Sequence, residues 1–506
     1  MNKKIYSFGM AAMMLLFSGN VMATDYYLSA NGNDANDGKS AATALKTLSA
    51  LMPKVAQNKD GEHVYVSGII KVDAEWTKAH MRVVFEGNNP ETDGFDAEGN
   101  CAMFNLNNSI ATFKNLSFKN GYKAAGNNGA GAIWGGPLRL TLENCVFENN
   151  KGEHTNANEC GGAIFVKQPK PQGQENAGGI YATNCKFINN SSLAGGGAIT
   201  SNVSYAAELK NCLFLNNTSS YNGAGGGAIY FNSIASSVKV DACAFEGNKT
   251  ELNNGGAITV YLNKVQGSTF TISNSTFYNN TAKSGGVFYV SDDHNQSGNN
   301  TFNFVHCTMS GNTTLGSIGG AGGINIDSKP CEVNVVNSIL QGNLSKGNAN
   351  LYADVTFGTT TVNFKNSYVG YVRQLADNES YYTITGGKLD NLGKVSQAAD
   401  LDLTTYDADA HIFRLKATSD AKTAADLSAD AAYGVTTDQL GQAWTKPYVG
   451  AVQLLEGEST GISGIKTDAP KSLKGIYNIA GQYVGNDASQ LAKGLYIING
   501  KKVIVK

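Results

Sequence analysis

The side chains most able to do chemistry in this chain are eight cysteines, six histidines and a thin scatter of carboxylates. The cysteines stand at 101, 145, 160, 185, 212, 243, 307 and 331. None has a zinc-type spacing with a histidine, and no Ser/His/Asp order or phosphate loop is visible. His63, His80, His154 and His411 stand alone. General acid–base work needs carboxylates held together, or a base beside them. Glu143, Glu208, Asp241 and Glu332 occur singly, and Arg139 and Lys210 are the candidate bases. Glu148 and Glu246 share a local context but lie far apart. The densest polar cluster, Asp292-Asp293-His294, reads as a solvated loop full of Asn and Gly. Asp34 and Asp37 could bind calcium, but their Asn, Asp and Gly neighbours read first as a turn. The sequence therefore assigns no catalytic, cofactor-binding or metal-binding residue. It offers amides and 23 tyrosines instead, with Tyr181, Tyr205, Tyr221 and Tyr261 in or near a repeat. Such residues suit carbohydrate binding, and equally suit an inert β surface.

Composition narrows the classes. Charged residues are 16% of 506 and the formal net charge is −2, with Arg only at 82, 139, 373 and 414. A nucleic-acid binder would carry a basic surplus. Glycine is high at 59 and proline low at 8, with 42% hydrophobic residues. That fits a packed, turn-rich protein. Lys3 and Lys4, the apolar run from Phe8 to Phe17 and the small residues of Val21-Met22-Ala23 read as a signal peptide cut after Ala23. No other stretch approaches a membrane span.

What must position any site is a repeat. Asn144-Cys145-Val146-Phe147 returns as Asn184-Cys185-Lys186-Phe187, Asn211-Cys212-Leu213-Phe214 and Ala242-Cys243-Ala244-Phe245. Further copies begin at Asn115, Asn274, His306, Asn337 and Asn366, at offsets of 27–40 residues. A second mark, Gly161-Gly162-Ala163-Ile164, recurs at 196–199, 226–229 and 255–258. Before each Asn, apolar residues alternate with polar ones, as in Leu138, Leu140 and Leu142, which is strand periodicity. The alternation slips at Asn, so a corner is expected there, since Asn tolerates the left-handed conformation. A second corner with positive φ is expected at the Gly pair. Short strands, sharp corners and a period of ~30 residues predict a right-handed parallel β-helix, an all-β solenoid. Cys and Phe then stack inward as ladders. Ser replaces Cys at 275, 338 and 367, which favours small buried thiols over disulfides.

Three segments resemble known families. The paired marks Gly-Gly-Ala-Ile and Phe-x-x-Asn (Phe147…Asn150, Phe187…Asn190, Phe214…Asn217, Phe245…Asn248, Phe277…Asn280) resemble the repeats of chlamydial polymorphic outer-membrane proteins. That resemblance covers roughly residues 110–370 and implies surface display and adhesion. The stretch from Tyr26 through Asp34 and Asp37-Gly38, with Leu45, Leu48, Leu51, Met52 and Val55 at helical spacing, looks like the N-terminal cap of secreted β-helix proteins, including some polysaccharide lyases. Thr437-Asp438-Gln439-Leu440-Gly441 and Val449-Gly450-Ala451 resemble the closing motif of the same group. Lyases of that group imply a calcium-binding carboxylate cluster with an Arg or Lys base, which this sequence does not display. Gly475–Gln482 and the Asn499-Gly500 hairpin resemble the C-terminal sorting domains of Bacteroidetes proteins exported by the type IX system.

The expected organisation is a signal peptide (1–23), an N-terminal cap with a helix (24–62), β-helix repeats (63–370), a closing region (371–457), a linker (458–471) and a small sorting-like β domain (472–506). The expected protein is a secreted or outer-membrane-surface monomer, without a transmembrane segment or a nucleic-acid partner. It binds a polysaccharide or a host or matrix surface ligand and is adhesin-like rather than catalytic. The alternative is a polysaccharide lyase or glycoside hydrolase acting on an acidic polysaccharide.

Overall fold

The computed structural model describes residues 24–55, 61–126, 128–167, 178–203, 206–220, 225–234, 237–263, 265–291, 298–316, 320–327, 331–345, 351–352, 355–357, 361–374, 382–385, 388–392 and 403–458, and the tail strands 476–478, 483–485, 494–498 and 501–505. The signal peptide, most of the linker, Tyr205, Tyr221, Asp292-Asp293-His294 and Asn499-Gly500 lie outside the described residues.

The alternating segments form one face, a thirteen-stranded parallel sheet running from Thr24–Ser29 to Tyr382–Thr385. One turn shows the plan. Leu138–Glu143 buries Leu138, Leu140 and Leu142, the chain turns at Asn144, and Val146–Glu148 follows with Phe147 inside. A further corner leads through Lys151–Gly152 and Cys160–Gly161 to Ile164–Lys167. Each strand pairs in parallel with its equivalent one turn on, as Phe147 does with Phe118 and Phe187. The chain is thus a right-handed parallel β-helix, the hand that parallel crossovers take. The sheets run beyond the last clear repeat, through Lys388–Leu392.

The corners follow from residue type. Asn115, Asn144, Asn184, Asn211, Asn274, Asn337 and Asn366 all have φ between 48° and 54° or, for Asn184, 56°. Behind them runs the Cys/Ser ladder. Cys212 Sγ donates to the Lys210 carbonyl (3.3 Å) and, one rung back, to that of Ala182 (3.6 Å). Ser338 Oγ likewise donates to Val336 (2.8 Å) and Phe304 (3.2 Å). The ladder atoms also accept a backbone N–H from the turn before: Cys243 Sγ accepts that of Cys212, and Ser338 Oγ that of Cys307. From Cys145 onward the position holds a small side chain that both donates and accepts, which is why Ser replaces Cys; one turn earlier the equivalent residue is the buried Leu116. All eight cysteines are free thiols. Burial pushes Cys160 up to about 11 and Cys307 up to about 12, so both stay protonated at neutral pH.

Two further ladders fill the interior. Phe118, Phe147, Phe187, Phe214, Phe245 and Phe277 stack with centroids 4.6–5.0 Å apart and planes within 6°. Next to them, Asn150, Asn190, Asn217, Asn248, Asn280, Asn312 and Asn343 are completely buried. Asn217 shows the pattern. Its Nδ2 donates to Phe187 O (2.9 Å) and to Asn248 Oδ1 (2.9 Å), and its backbone N–H donates to that same oxygen (3.0 Å).

The Gly pair has a different cause from the one expected. The second glycines, 162, 197, 227, 256 and 286, have no positive φ. A Cβ on Gly197 would lie 2.1 Å from Gly227 O, and one on Gly227 would lie 1.9 Å from Gly256 O. Successive turns approach too closely there for any side chain. Positive φ occurs in the pairs only at Gly255 and Gly285.

The first turn is covered by the segment from Gly38 to Leu45. Tyr27 N–H donates to Gly38 O, Leu45 N–H to Tyr27 O and Ser29 N–H to Leu45 O, so the open strand edge is filled. The helix of the cap is one turn, Leu48–Leu51, capped by Thr47. Residues 403–456 belong to the same compact unit and lie along the flank of later turns. Residues 457–506 form a second unit, containing a four-stranded antiparallel sheet. No helix among the described residues is long and apolar enough to cross a membrane.

Two measurements check this packing. Phe214→Ala should cost ~3–5 kcal/mol in chemical denaturation, while the half-exposed Leu213→Ser costs under ~1 kcal/mol. Gly197→Ala should abolish folding or lower the denaturation midpoint severely. Gly434→Ala, at φ +72° with nothing within 4 Å of its new methyl, should cost only about 1 kcal/mol.

Candidate functional site

The corner asparagines divide into two stretches. At Asn274, His306 and Asn337 the corner is covered by residues 403–456. Trp444 Nε1 donates to Asn274 Oδ1 (3.2 Å) and Asp426 N–H to Asn337 Oδ1 (3.0 Å). In one repeat His306 replaces the corner Asn, at φ 50°. It is buried, its Nε2 is 3.1 Å from both Asp430 oxygens, and Trp444 stacks on it at 4.0 Å. On the earlier turns Asn144, Asn184 and Asn211 are exposed.

A groove of about 430 Å³ lies where the covered stretch begins. Its floor is Asn144, Asn184 and Asn211 with Lys186 and Leu213, and its far wall is Asp409, His411 and Leu440. The wall is an antiparallel hairpin, Thr404–Asp407 with Ile412–Leu415. Arg414 Nη2 closes it on Asp407 Oδ2 at 2.6 Å, and Asp407 Oδ1 accepts the N–H groups of Asp409 and Ala410. His411 sits in the left-handed region, φ 54°. Its Nδ1 donates to Glu246 Oε2 at 2.5 Å, and the Tyr406 hydroxyl donates to the same oxygen at 2.6 Å. Burial, then the Glu246 carboxylate, pushes the Tyr406 hydroxyl well above its ordinary range, so it remains a donor. Tyr406 in turn packs on Tyr278 at 3.9 Å. With Nδ1 committed to Glu246, Nε2 is the ring nitrogen left for other partners.

The remaining sequence candidates are dispersed. Glu143 pairs with Lys114 (3.1 Å) and Glu148 with Lys119 (3.4 Å). Asp241 accepts from Ser273 and Asn274, and Glu332 from Asn363. Glu208 stands in register between Tyr181 and Lys239. Arg139 lies 4.3 Å over the Tyr181 ring, and Lys210 is in register with Asp241. Asp34 accepts the N–H groups of Lys46 and Thr47, which ties its loop to the start of the cap helix, and Asp37 accepts the Lys39 N–H and the Thr43 hydroxyl within its own loop. His80 lies at φ 57°, and His154 Nδ1 accepts Asn156 N–H. Tyr261 packs on the buried Tyr230 cluster. Three histidines do not stand alone, contrary to expectation: His154 Nε2 lies 4.0 Å from Glu159 Oε2, five residues on, and two others have distant partners. His411 binds Glu246, and His63 Nε2 lies 3.0 Å from Glu86. Both partners are distant in sequence, so no local pattern announces them. Among the described residues no group of three or more His, Cys, Asp or Glu could hold a metal ion.

No family model matches the chain, and no curated protein matches it. Among solved structures, the chain is similar to a crystal structure of pectate lyase Pel9A at 16% identity. The match covers 86% of this chain and 98% of that one, with a TM-score of 0.27.

The Glu246 contacts generate a local prediction. Glu246→Ala removes two hydrogen bonds to a charged group, each worth roughly 1.5–3 kcal/mol. Amide exchange in the 404–415 hairpin should rise by at least about tenfold, while exchange in the Phe ladder strands stays unchanged. Equal protection in variant and wild type would mean that other contacts hold the hairpin.

Proposed function

We propose that this is an exported, secreted or surface-displayed β-helix protein that binds a polysaccharide along its corner groove without cleaving it. The observation that carries the reading is the row of exposed amides at Asn144, Asn184 and Asn211, opening on the groove beside Lys186, Asp409 and His411. Amides both donate and accept, as sugar hydroxyls do. The charge pattern supports binding over lyase chemistry, since Glu143 and Glu148 each lie beside a lysine one turn away, a setting that disfavours a calcium cluster. Adhesin-like surface display is part of this proposal, and rests on the repeat resemblance. Delivery by the tail is part of it too, supported by the separate compact unit at 457–506.

One observation favours a second reading, as a polysaccharide lyase or hydrolase. The His411 imidazole, oriented by Glu246, has a nitrogen available to take a proton in the groove. Release of unsaturated uronides, abolished by His411→Ala, would establish that reading over the binding one.

A glycan array on the full chain tests the binding proposal. The double variant Asn184→Gly/Asn211→Gly keeps the left-handed corners and removes both amides. It should lose about tenfold or more in affinity for the captured glycan, with an unchanged melting temperature. Unaltered affinity would remove the corner from the binding surface.

A further inference from the structure

A second cavity, of about 380 Å³, lies at the opposite end of the exposed corner. It is lined by Tyr27, Ser29, Tyr65, Ser67, Glu86 and Asn88, among others. Tyr27 and Tyr65 occupy equivalent positions on the first two strands of the large sheet, and their rings stack at 5.1 Å. His63 stacks on Tyr65 at 4.2 Å and is held by Glu86 at 3.0 Å. These three rings form one slab, yet Tyr65 keeps 36% of its surface exposed. Partial desolvation, then the Asp25 charge, raises the Tyr65 hydroxyl above its ordinary range, so it stays a donor.

This slab and the groove are joined by the same corner. Asn115 Nδ2 donates to Gly87 O (3.1 Å), beside Asn88, and Asn144 Nδ2 to Asn115 Oδ1 (2.9 Å). Farther on, Asn211 Nδ2 donates to Asn184 Oδ1 (2.7 Å). The strands between Tyr65 and the Asn211 corner follow one another in the sheet order. Their five steps, at ~4.8 Å each, span ~24 Å, roughly the reach of five sugar rings. The cap bounds this track at one end and the 404–415 hairpin at the other.

The geometry points to Tyr27 and Tyr65 as the anchoring subsite for a neutral linear glycan that runs along the corner from the slab to the groove. This inference deepens the binding reading above and rests on it. Aromatic rings take the apolar face of a pyranose, while Glu86, Asn88 and the tyrosine hydroxyls can meet its hydroxyl rim. A cavity of this size falls in the range of small-ligand sites, roughly 300–1,000 Å³. Charge argues for a neutral ligand. Asp25 and Glu86 flank the slab, and Lys114, the next residue in register with Glu86, is paired with Glu143. A uronate at the slab would face carboxylates and no unpaired cation among these residues.

The test is calorimetric titration of the full chain with cellohexaose, mannohexaose, xylohexaose and hexagalacturonate, and with the matching trimers. Wild type should bind at least one neutral hexamer. Tyr65→Ala should weaken that hexamer about tenfold, Tyr65→Phe should stay within about twofold, and Asn88→Ala should fall between them. Trimer binding at the groove should change little in Tyr65→Ala. Folding of each variant is checked by its melting curve, and Asn88→Ala carries the test if Tyr65→Ala does not fold. Hexamer binding unaffected by the slab variants but lost in Asn184→Gly/Asn211→Gly would overturn the subsite and leave the groove reading intact. Binding of hexagalacturonate alone would overturn the neutral-glycan assignment. Failure of wild type to bind any of the four would overturn both.

Discussion

The buried asparagine ladder is the constraint on which the rest of the molecule depends. A carboxamide at Asn190, Asn217 or Asn248 has no water to bind, so its donors must be met inside the protein. They are met only when the next turn sits one rung away in strict register, because the acceptor is the equivalent oxygen of that turn. A slip by one residue would strand these groups and turn the Phe ladder outward. The apolar stack alone would tolerate sliding; the amides forbid it. Stability and register thus come from different side chains, three residues apart in each repeat.

With register fixed, every repeated position becomes a straight line along the coil. The corner amides, the thiols and hydroxyls behind them, and the bare glycine backbones are all such lines. Chemistry on this surface is therefore additive along one axis, and a site is made by interrupting a line. The C-terminal segment makes that interruption. It reads the corner turn by turn, through Trp444 at Asn274, Asp430 at His306 and Asp426 at Asn337. It ends the exposed row where His411 meets Glu246.

The parts of this design that obey short-range rules are legible in the sequence. The change of parity at Asn144 and its equivalents forces a corner, and the corner residue is the one type that accepts positive φ readily. The inward Cys and Phe follow from the same parity. The cause of the Gly pair is not legible there, because it lies between turns, in a 1.9–2.1 Å clash that no single repeat reveals. The site was illegible for a related reason. Glu246 is 165 residues from His411, and Tyr27 meets Tyr65 only because a turn of coil separates them. One signal was present, since His306 is the repeat in which a charged-capable ring takes the place of Asn. Its partner, Asp430, could not have been named from the repeat.

The open corner is bounded by two fixtures that are not themselves repeats, the cap at one end and the 403–456 segment at the other. Everything between them is modular. Adding or removing one repeat unit would shift the fixtures apart or together by a single rung, ~4.8 Å, with the ladders intact on either side. The distance between the Tyr65 slab and the His411 wall is thus a count of repeats, and it can change only in whole rungs.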